Sequence, residues 1–163
     1  LANVDGPGYR APVRTLIRSV GSPDALRALG RVVGERLFEG AVVLLDGELG
    51  AGKTTFVQGV AEGNGVAGVV PSPTYALVLE YDDGRVPLRH ADVYRMESAE
   101  ELVSAGVEER VGEEGAWLVE WASRFPGRWP PGHLAVHIGM DGEGRVVELV
   151  PTDAAHARLV PGT

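Results

Sequence analysis

Gly47, Gly52, Lys53 and Thr54 fall in the order G-x-x-x-x-G-K-T, residue types whose spacing suits a bound polyphosphate. The glycines let backbone N–H groups converge on phosphate oxygens, and a helix starting at the motif adds the positive end of its dipole. The lysine places a compact charge on the β- and γ-phosphate oxygens. Lys53 is the only lysine in the chain, since every other basic residue is arginine. The broad planar fork of arginine does not fit where a slim ammonium must thread beside a loop, so the exception stands where the chemistry requires it. The motif nominates Gly47, Glu48, Leu49, Gly50, Ala51, Gly52 and Lys53 as the phosphate cradle. Thr54 is expected to offer its hydroxyl to Mg2+, with Thr55 as a further phosphate contact at the helix start.

Other residues could complete such a site. Glu120 ends the apolar run AWLVEW, where a P-loop protein needs a carboxylate to hold magnesium or its water; the alternative is a solvated strand-end glutamate. Asp92, in HADVYR, is a candidate to orient attacking water or hydrated magnesium, or else caps the turn toward Tyr94 and Arg95. Trp121 either shields the site or packs behind the strand. His90 with Asp92, and His133 with His137, share strand faces, but neither pair brings a third ligand, so a metal centre is not expected at either. Pro73 holds Ser72 extended and sets Thr74 and Tyr75 at the mouth of a strand.

The elements around these residues have their own signals. The run AVVLLD (41–46) is continuously apolar, as in a strand buried on both faces, and KTTFVQGVAEG after it carries Phe56, Val57 and Val60 at helical spacing. The Gly-rich turn therefore sits between strand and helix. Upstream, TLIRSV alternates like a strand, and SPDALRALGRVVGERL offers Ser22 as N-cap, Pro23 at the first helical position and an apolar stripe of Leu26, Leu29, Val33 and Leu37. Downstream, a hairpin is expected over DDG, a short helix over SAEELVSAG with Ser98 and Glu101 at capping-box spacing, and a strand at AWLVEW. A closing hairpin turns over DGEG. The order predicts an α/β, three-layer P-loop-like domain with a mixed, mainly parallel central sheet and added β-hairpins. Residues 1–13 read as a loose tail, 14–152 as the single domain and 153–163 as a C-terminal tail.

Composition limits the function. At 163 residues the chain can bury roughly two-thirds of its unfolded surface around one core. Without cysteine there is no disulfide scaffold, iron–sulfur site or thiol catalysis. With no long apolar run and no signal-peptide core, a cytoplasmic protein without membrane contact is expected. A formal charge of −8 argues against a broad grip on phosphate backbones, so tRNA or other nucleic acid is expected only as an indirect partner. Having a single lysine, the chain cannot carry a separate N-K-x-D guanine-reading motif, which favours adenine or an unselective base site.

GELGAGKTTF, SPTY, HADVYR, EELVSAGVEE and LVEW together resemble the TsaE family, the small bacterial P-loop ATPases of tRNA threonylcarbamoyladenosine biosynthesis, over about residues 20–150. The resemblance implies ATP and Mg2+ as cofactors, with Lys53, Asp92, Glu120 and Thr74 catalytic and Thr54 and Glu120 on the metal. It makes SPTY a switch segment sensing the γ-phosphate, and it offers Pro23, Asp24 and Arg145 as adenine contacts by placement alone. It further implies binding to a threonylcarbamoyl transferase subunit and its paralogous partner, on which the modification itself would occur. The seven glutamates between 97 and 114, ordinary as a solvated helix face, would then dock on basic partner surface. Glu48 stands where the family commonly has Asp, Ala91 is smaller than the usual aromatic, and the N-terminal tail is longer. A small-molecule kinase is the alternative, with Arg124 and Arg128 of SRFPGR as its lid. A nucleotide-dependent binding module without useful turnover is a third reading.

Overall fold

The computed structural model describes residues 13–73 and 77–162. Seven strands form one sheet: β1 Leu16–Val20, β2 Val42–Gly47, β3 Val78–Tyr81, β4 Leu88–Asp92, β5 Ala116–Glu120, β6 Leu134–Asp141 and β7 Gly144–Pro151. Their spatial order is β1-β7-β6-β2-β5-β4-β3. The central strands β6, β2, β5 and β4 run parallel, while β7, β1 and β3 pair antiparallel toward the edges. This is the mixed, mainly parallel sheet with hairpins that the strand pattern predicts. β3 is short, and Thr74, Tyr75 and Ala76 lie outside the described residues.

Residue parity sorts the two faces. Val43 and Leu45 of β2, with Ala116 and Leu118 of β5, join the core under two helices, α1 Pro23–Glu35 and α2 Lys53–Gly63. Val42, Leu44, Trp117 and Val119 belong to a second core on the opposite face. There they meet Leu102 of α3 Ala99–Ser104 and Val107 of α4 Val107–Arg110. Strands buried on both faces need a helical layer on each, which is why β2 and β5 are apolar at every position until their ends.

The helix caps follow the sequence unevenly. The Ser22 side chain accepts a hydrogen bond from Ala25 N at 3.1 Å, and Pro23 opens α1. At α3 the expected capping box is altered: Ser98 makes no side-chain cap bond, and the Glu101 carboxylate accepts from Glu97 N at 3.2 Å. Helices α1 and α2 approach backbone to backbone. A Cβ built on Gly34 would lie 2.0 Å from the Val60 carbonyl oxygen, and one on Gly59 would lie 2.1 Å from that of Arg27. Across this contact Arg27 and Arg31 both pair with Glu62. The helix that begins at the phosphate motif is thereby held flat on its neighbour.

The C-terminal segment is not a tail. Asp153 caps α5 Ala154–Ala157, and Leu159 and Val160 are buried in the main core. His156 Nε2 accepts the Val42 N–H at 3.1 Å while its Nδ1 lies 2.7 Å from Asp153 Oδ1. The segment satisfies a backbone donor at the start of β2 that no strand pairs. Its few apolar residues are too short a run to show helical period, which hides this docking from the sequence. Of the expected N-terminal tail only Val13 is described, and it is exposed.

Candidate nucleotide site

β2, β5 and β4 all end at the same edge of the sheet, the carboxyl ends where open α/β sheets bind ligands. From β2 the chain turns through Glu48–Gly52 into α2. Gly50 and Gly52 have φ of 80° and 113°, a left-handed conformation in which a side chain is strained. A Cβ on Gly52 would also meet Leu26 Cδ2 at 2.5 Å. Leu49, at the loop apex, is 81% exposed, whereas Ala51 is buried. Arg145, on β7, donates from Nε to Ala51 O at 2.8 Å and from Nη2 to Gly50 O at 3.2 Å, bracing the loop from the far hairpin.

Lys53 is only 5% exposed and donates to Gly47 O at 2.6 Å and Glu48 O at 3.0 Å. Its ammonium sits 4.0 Å from the centre of the Trp121 ring. Burial pushes its pKa down, opposed by the nearby Glu120, Asp92 and Asp46 carboxylates. Trp121 is the one non-glycine residue with positive φ (63°) among the described residues. That backbone costs on the order of 1–3 kcal/mol, and such strain gathers at ligand sites. Trp121 therefore lines the site, packed against Tyr94 with ring centres 4.7 Å apart, and is not merely backing the strand.

Parity also aims the carboxylates. Glu120 follows Leu118, and His90 and Asp92 follow Leu88, onto the face that carries α2. In register, Asp92 pairs with Glu120. Glu120 is 2% exposed; its Oε1 lies 3.3 Å from Thr54 Oγ1 and its Oε2 2.6 Å from His90 Nε2. Asp92 Oδ1 accepts from Tyr94 N at 2.9 Å, so the turn cap and the site position coexist. Burial, then the charge of Glu120, raise the Asp92 pKa, against the Tyr94 hydrogen bond and the charges of His90 and Lys53.

The raised pKa has a consequence for stability. The folded state holds the Asp92 proton more tightly than the unfolded chain, so this group's contribution is full below the unfolded carboxylate pKa and is lost as pH rises through the folded value. Asp92→Asn, which keeps an oxygen for Tyr94 N, is expected to melt higher than the parent at pH 7. The gap should close as pH falls toward the unfolded carboxylate range. Thermal melts without nucleotide at several pH values check this; a variant that melts lower at pH 7, or a gap that ignores pH, contradicts it.

One cavity is lined by Leu49, Gly50, Gly52, Lys53, Thr54, Thr55, Ser72, Asp92, Tyr94, Arg95, Glu120 and Trp121. An adjoining one is bounded by Pro23, Leu26, Thr55 and Arg145, while Asp24 stands exposed in the first turn of α1 and does not line it. Thr74 lies outside the described residues; Ser72 of the same SPTY segment reaches the cavity. Neither lid arginine of the kinase reading lines this cavity: Arg124 donates to Met96 O at 2.9 Å behind the Tyr94 ring, and Arg128 pairs with Glu108 at 3.6 Å. Among the described residues no group of three or more His, Asp or Glu could hold a metal. His133 Nδ1 instead lies 2.7 Å from Pro130 O, and His137 is exposed. In the acidic segment Glu97, Glu100, Glu101, Glu109, Glu113 and Glu114 are exposed, and Glu108 is half-buried against Arg128.

Comparison with known proteins decides the family. The model of the family described as threonylcarbamoyl adenosine biosynthesis protein TsaE matches residues 20–147. The chain belongs to the TsaE family. It is 40% identical over 122 residues to the tRNA threonylcarbamoyladenosine biosynthesis protein TsaE of Bacillus subtilis, covering 75% of this chain and 76% of that one. It is 38% identical over 139 residues to the TsaE of a Nostoc species, covering 81% and 83%. The crystal structure of Bacillus subtilis YdiB superposes with a TM-score of 0.77 at 31% identity, over 90% of this chain and 91% of that one. The TsaE match includes every site residue just described from Pro23 to Arg145. Sequence reasoning left three features of this TsaE-family site unassigned: the His90 contact to Glu120, the Arg145 brace and the position of Arg95 on the cavity. His90 had a signal, two residues before Asp92 on the same strand face; the other two had none. No helix among the described residues is long and apolar enough to cross a membrane.

Proposed function

We propose that this chain is a Mg2+-dependent ATPase that supports threonylcarbamoylation of the tRNA adenosine next to the anticodon, as an accessory subunit of the transferase complex. The observation that carries this reading is the convergence of Lys53 and Thr54 at the start of α2 with Glu120 at the end of β5 on one cavity, with Thr54 Oγ1 and Glu120 Oε1 3.3 Å apart. The donor set fits the ion: hard oxygens from one hydroxyl and one carboxylate suit magnesium, which takes few protein ligands and completes its shell with phosphate and water. A polyphosphate entering beside Asp92 and Glu120 also needs a cation between like charges. Magnesium, when bound, would draw off charge from the β- and γ-phosphate oxygens.

The side chains supply the remainder. Lys53 must turn from the Gly47 and Glu48 carbonyls to the phosphates, and Trp121 covers it against water. Backbone N–H groups of the Gly50–Gly52 turn cradle the anion, held in place by the Arg145 bonds to that turn. Asp92 lines the cavity and accepts from Tyr94 N through one oxygen, which supports a role for it in orienting the attacking water. Water adds to the γ-phosphorus as the bond to the β–γ bridging oxygen breaks, leaving ADP and inorganic phosphate. Pro23 and Arg145 border the place for the base.

The relatives are proteins of tRNA threonylcarbamoyladenosine biosynthesis, and the net charge of −8 suits an indirect contact with tRNA. The partners in this reading are the threonylcarbamoyl transferase subunit and its paralog. The exposed glutamates of 97–114 offer an acidic face to basic partner surface. Arg124 and Arg128 are engaged with Met96 O and Glu108, which favours hydrolysis stimulated by partners over small-molecule phosphorylation. Steady-state phosphate release is expected to be slow alone and to rise at least tenfold with the transferase heterodimer. Equal rates with and without it would remove the partner-dependent reading, and absence of turnover in both would leave a nucleotide-binding module.

A further inference from the structure

His90 is fully buried on β4, between apolar neighbours of the sheet, and its strand partner is Leu118. Its Nε2 lies 2.6 Å from Glu120 Oε2, and its Nδ1 has no hydrogen-bond partner among the described residues. A buried imidazole with one satisfied nitrogen is a costly way to fill a core, since an apolar side chain of similar volume would pack there without desolvating a polar ring. The placement makes sense through the carboxylate. Glu120 only accepts hydrogen bonds when ionised, so Nε2 donates the hydrogen of this contact. The two carboxylate oxygens are then divided: Oε2 is held by His90, and Oε1 is turned to Thr54 at 3.3 Å.

We propose that His90 is the positioning residue for Glu120, fixing the carboxylate so that Oε1 faces the magnesium site beside Thr54. This rests on the assignment of Glu120 to magnesium made above. The terminal torsion of a glutamate is broad, so an unanchored carboxylate would sample orientations that turn Oε1 from Thr54. Residues that anchor a metal-site carboxylate typically account for 10- to 100-fold in metal affinity or activity. His90 can do this from the neighbouring strand because it lies one diagonal step from Glu120 on the same face, Glu120 itself being opposite Asp92.

The test uses the full chain and measures how ADP affinity depends on Mg2+ concentration in the parent, His90→Met, His90→Gln and Glu120→Gln. Met has similar length and no donor, while Gln returns an N–H near the position of Nε2. The Mg2+ midpoint is expected to rise about 10-fold or more in His90→Met and to return toward the parent in His90→Gln, with metal-free ADP affinity unchanged in both His90 variants. A normal midpoint in His90→Met, with a raised one in Glu120→Gln, would overturn the positioning role and leave His90 as core filling. A normal midpoint in Glu120→Gln would overturn the Glu120 assignment and this inference with it. Should His90→Met fail to fold, nitrogen NMR of the parent decides. An Nε2–H tautomer whose signal shifts on adding Mg2+ with ADP supports the proposal, and an Nδ1–H tautomer contradicts it.

Discussion

Lys53→Ala is expected to lower ATP hydrolysis by at least 10²- to 10³-fold under conditions where the parent is activated, the range seen when one preorganised donor to developing charge is lost. The fold should barely register the change. Lys53 is buried with its charge disfavoured by desolvation, so its removal relieves a cost at the same time as it deletes the hydrogen bonds to Gly47 O and Glu48 O. Alanine is also the best helix former for the first residue of α2. Lys53→Arg should not rescue turnover, because the wider guanidinium must fit between the loop carbonyls and the Trp121 ring 4.0 Å away. Phosphate release and thermal melts on the two variants check both halves. Parent-like turnover in Lys53→Ala would remove this loop from the chemistry.

Glu120→Gln is expected to lose Mg2+-dependent turnover on the order of 10²-fold, more than most changes in a metal site's outer shell, because a hard cation gains far less from an amide oxygen than from a carboxylate. The amide is nearly isosteric and can still meet both His90 and Thr54, so the apo fold and the loop geometry should survive. The loss should be steepest at low Mg2+ and shrink as the ion is raised, which separates a metal role from a packing role. A magnesium titration of turnover that overlays on the parent would show the carboxylate to be idle. Together with Asp92→Asn, which is expected to stabilise the apo protein, these variants would show where stability has been given up at this strand edge.

Much of the site was legible because its signals are local. The loop motif lies within eight consecutive residues, and the strand before it and the helix after it each declare themselves by the period of their apolar positions. Ser22 and Pro23 mark the start of α1, and DDG and DGEG mark two hairpins, because capping and turn chemistry act over two to four residues. The end of each apolar strand run drew attention to Glu120 and Asp92. Where a local signal was weak, it misled: Glu101 reaches Glu97 N in place of Ser98, and the few apolar residues after 153 concealed a docked segment.

What the chain's sequence determined alone was the identity of the elements, the face each side chain takes along a strand, and the presence of a G-x-x-x-x-G-K-T loop between a strand and a helix. Which strand ends become neighbours was decided only in three dimensions. The order along the chain is β2, β3, β4, β5, but β5 inserts between β2 and β4, and this insertion sets Glu120 beside both Thr54 and His90. Arg145 reaches the loop across 94 positions, and His156 reaches Val42 across 114. Contacts at such separations depend on strand order, register and the close approach of α1 and α2. These are fixed by burying both faces of the whole sheet at once, a condition that no short stretch of sequence carries.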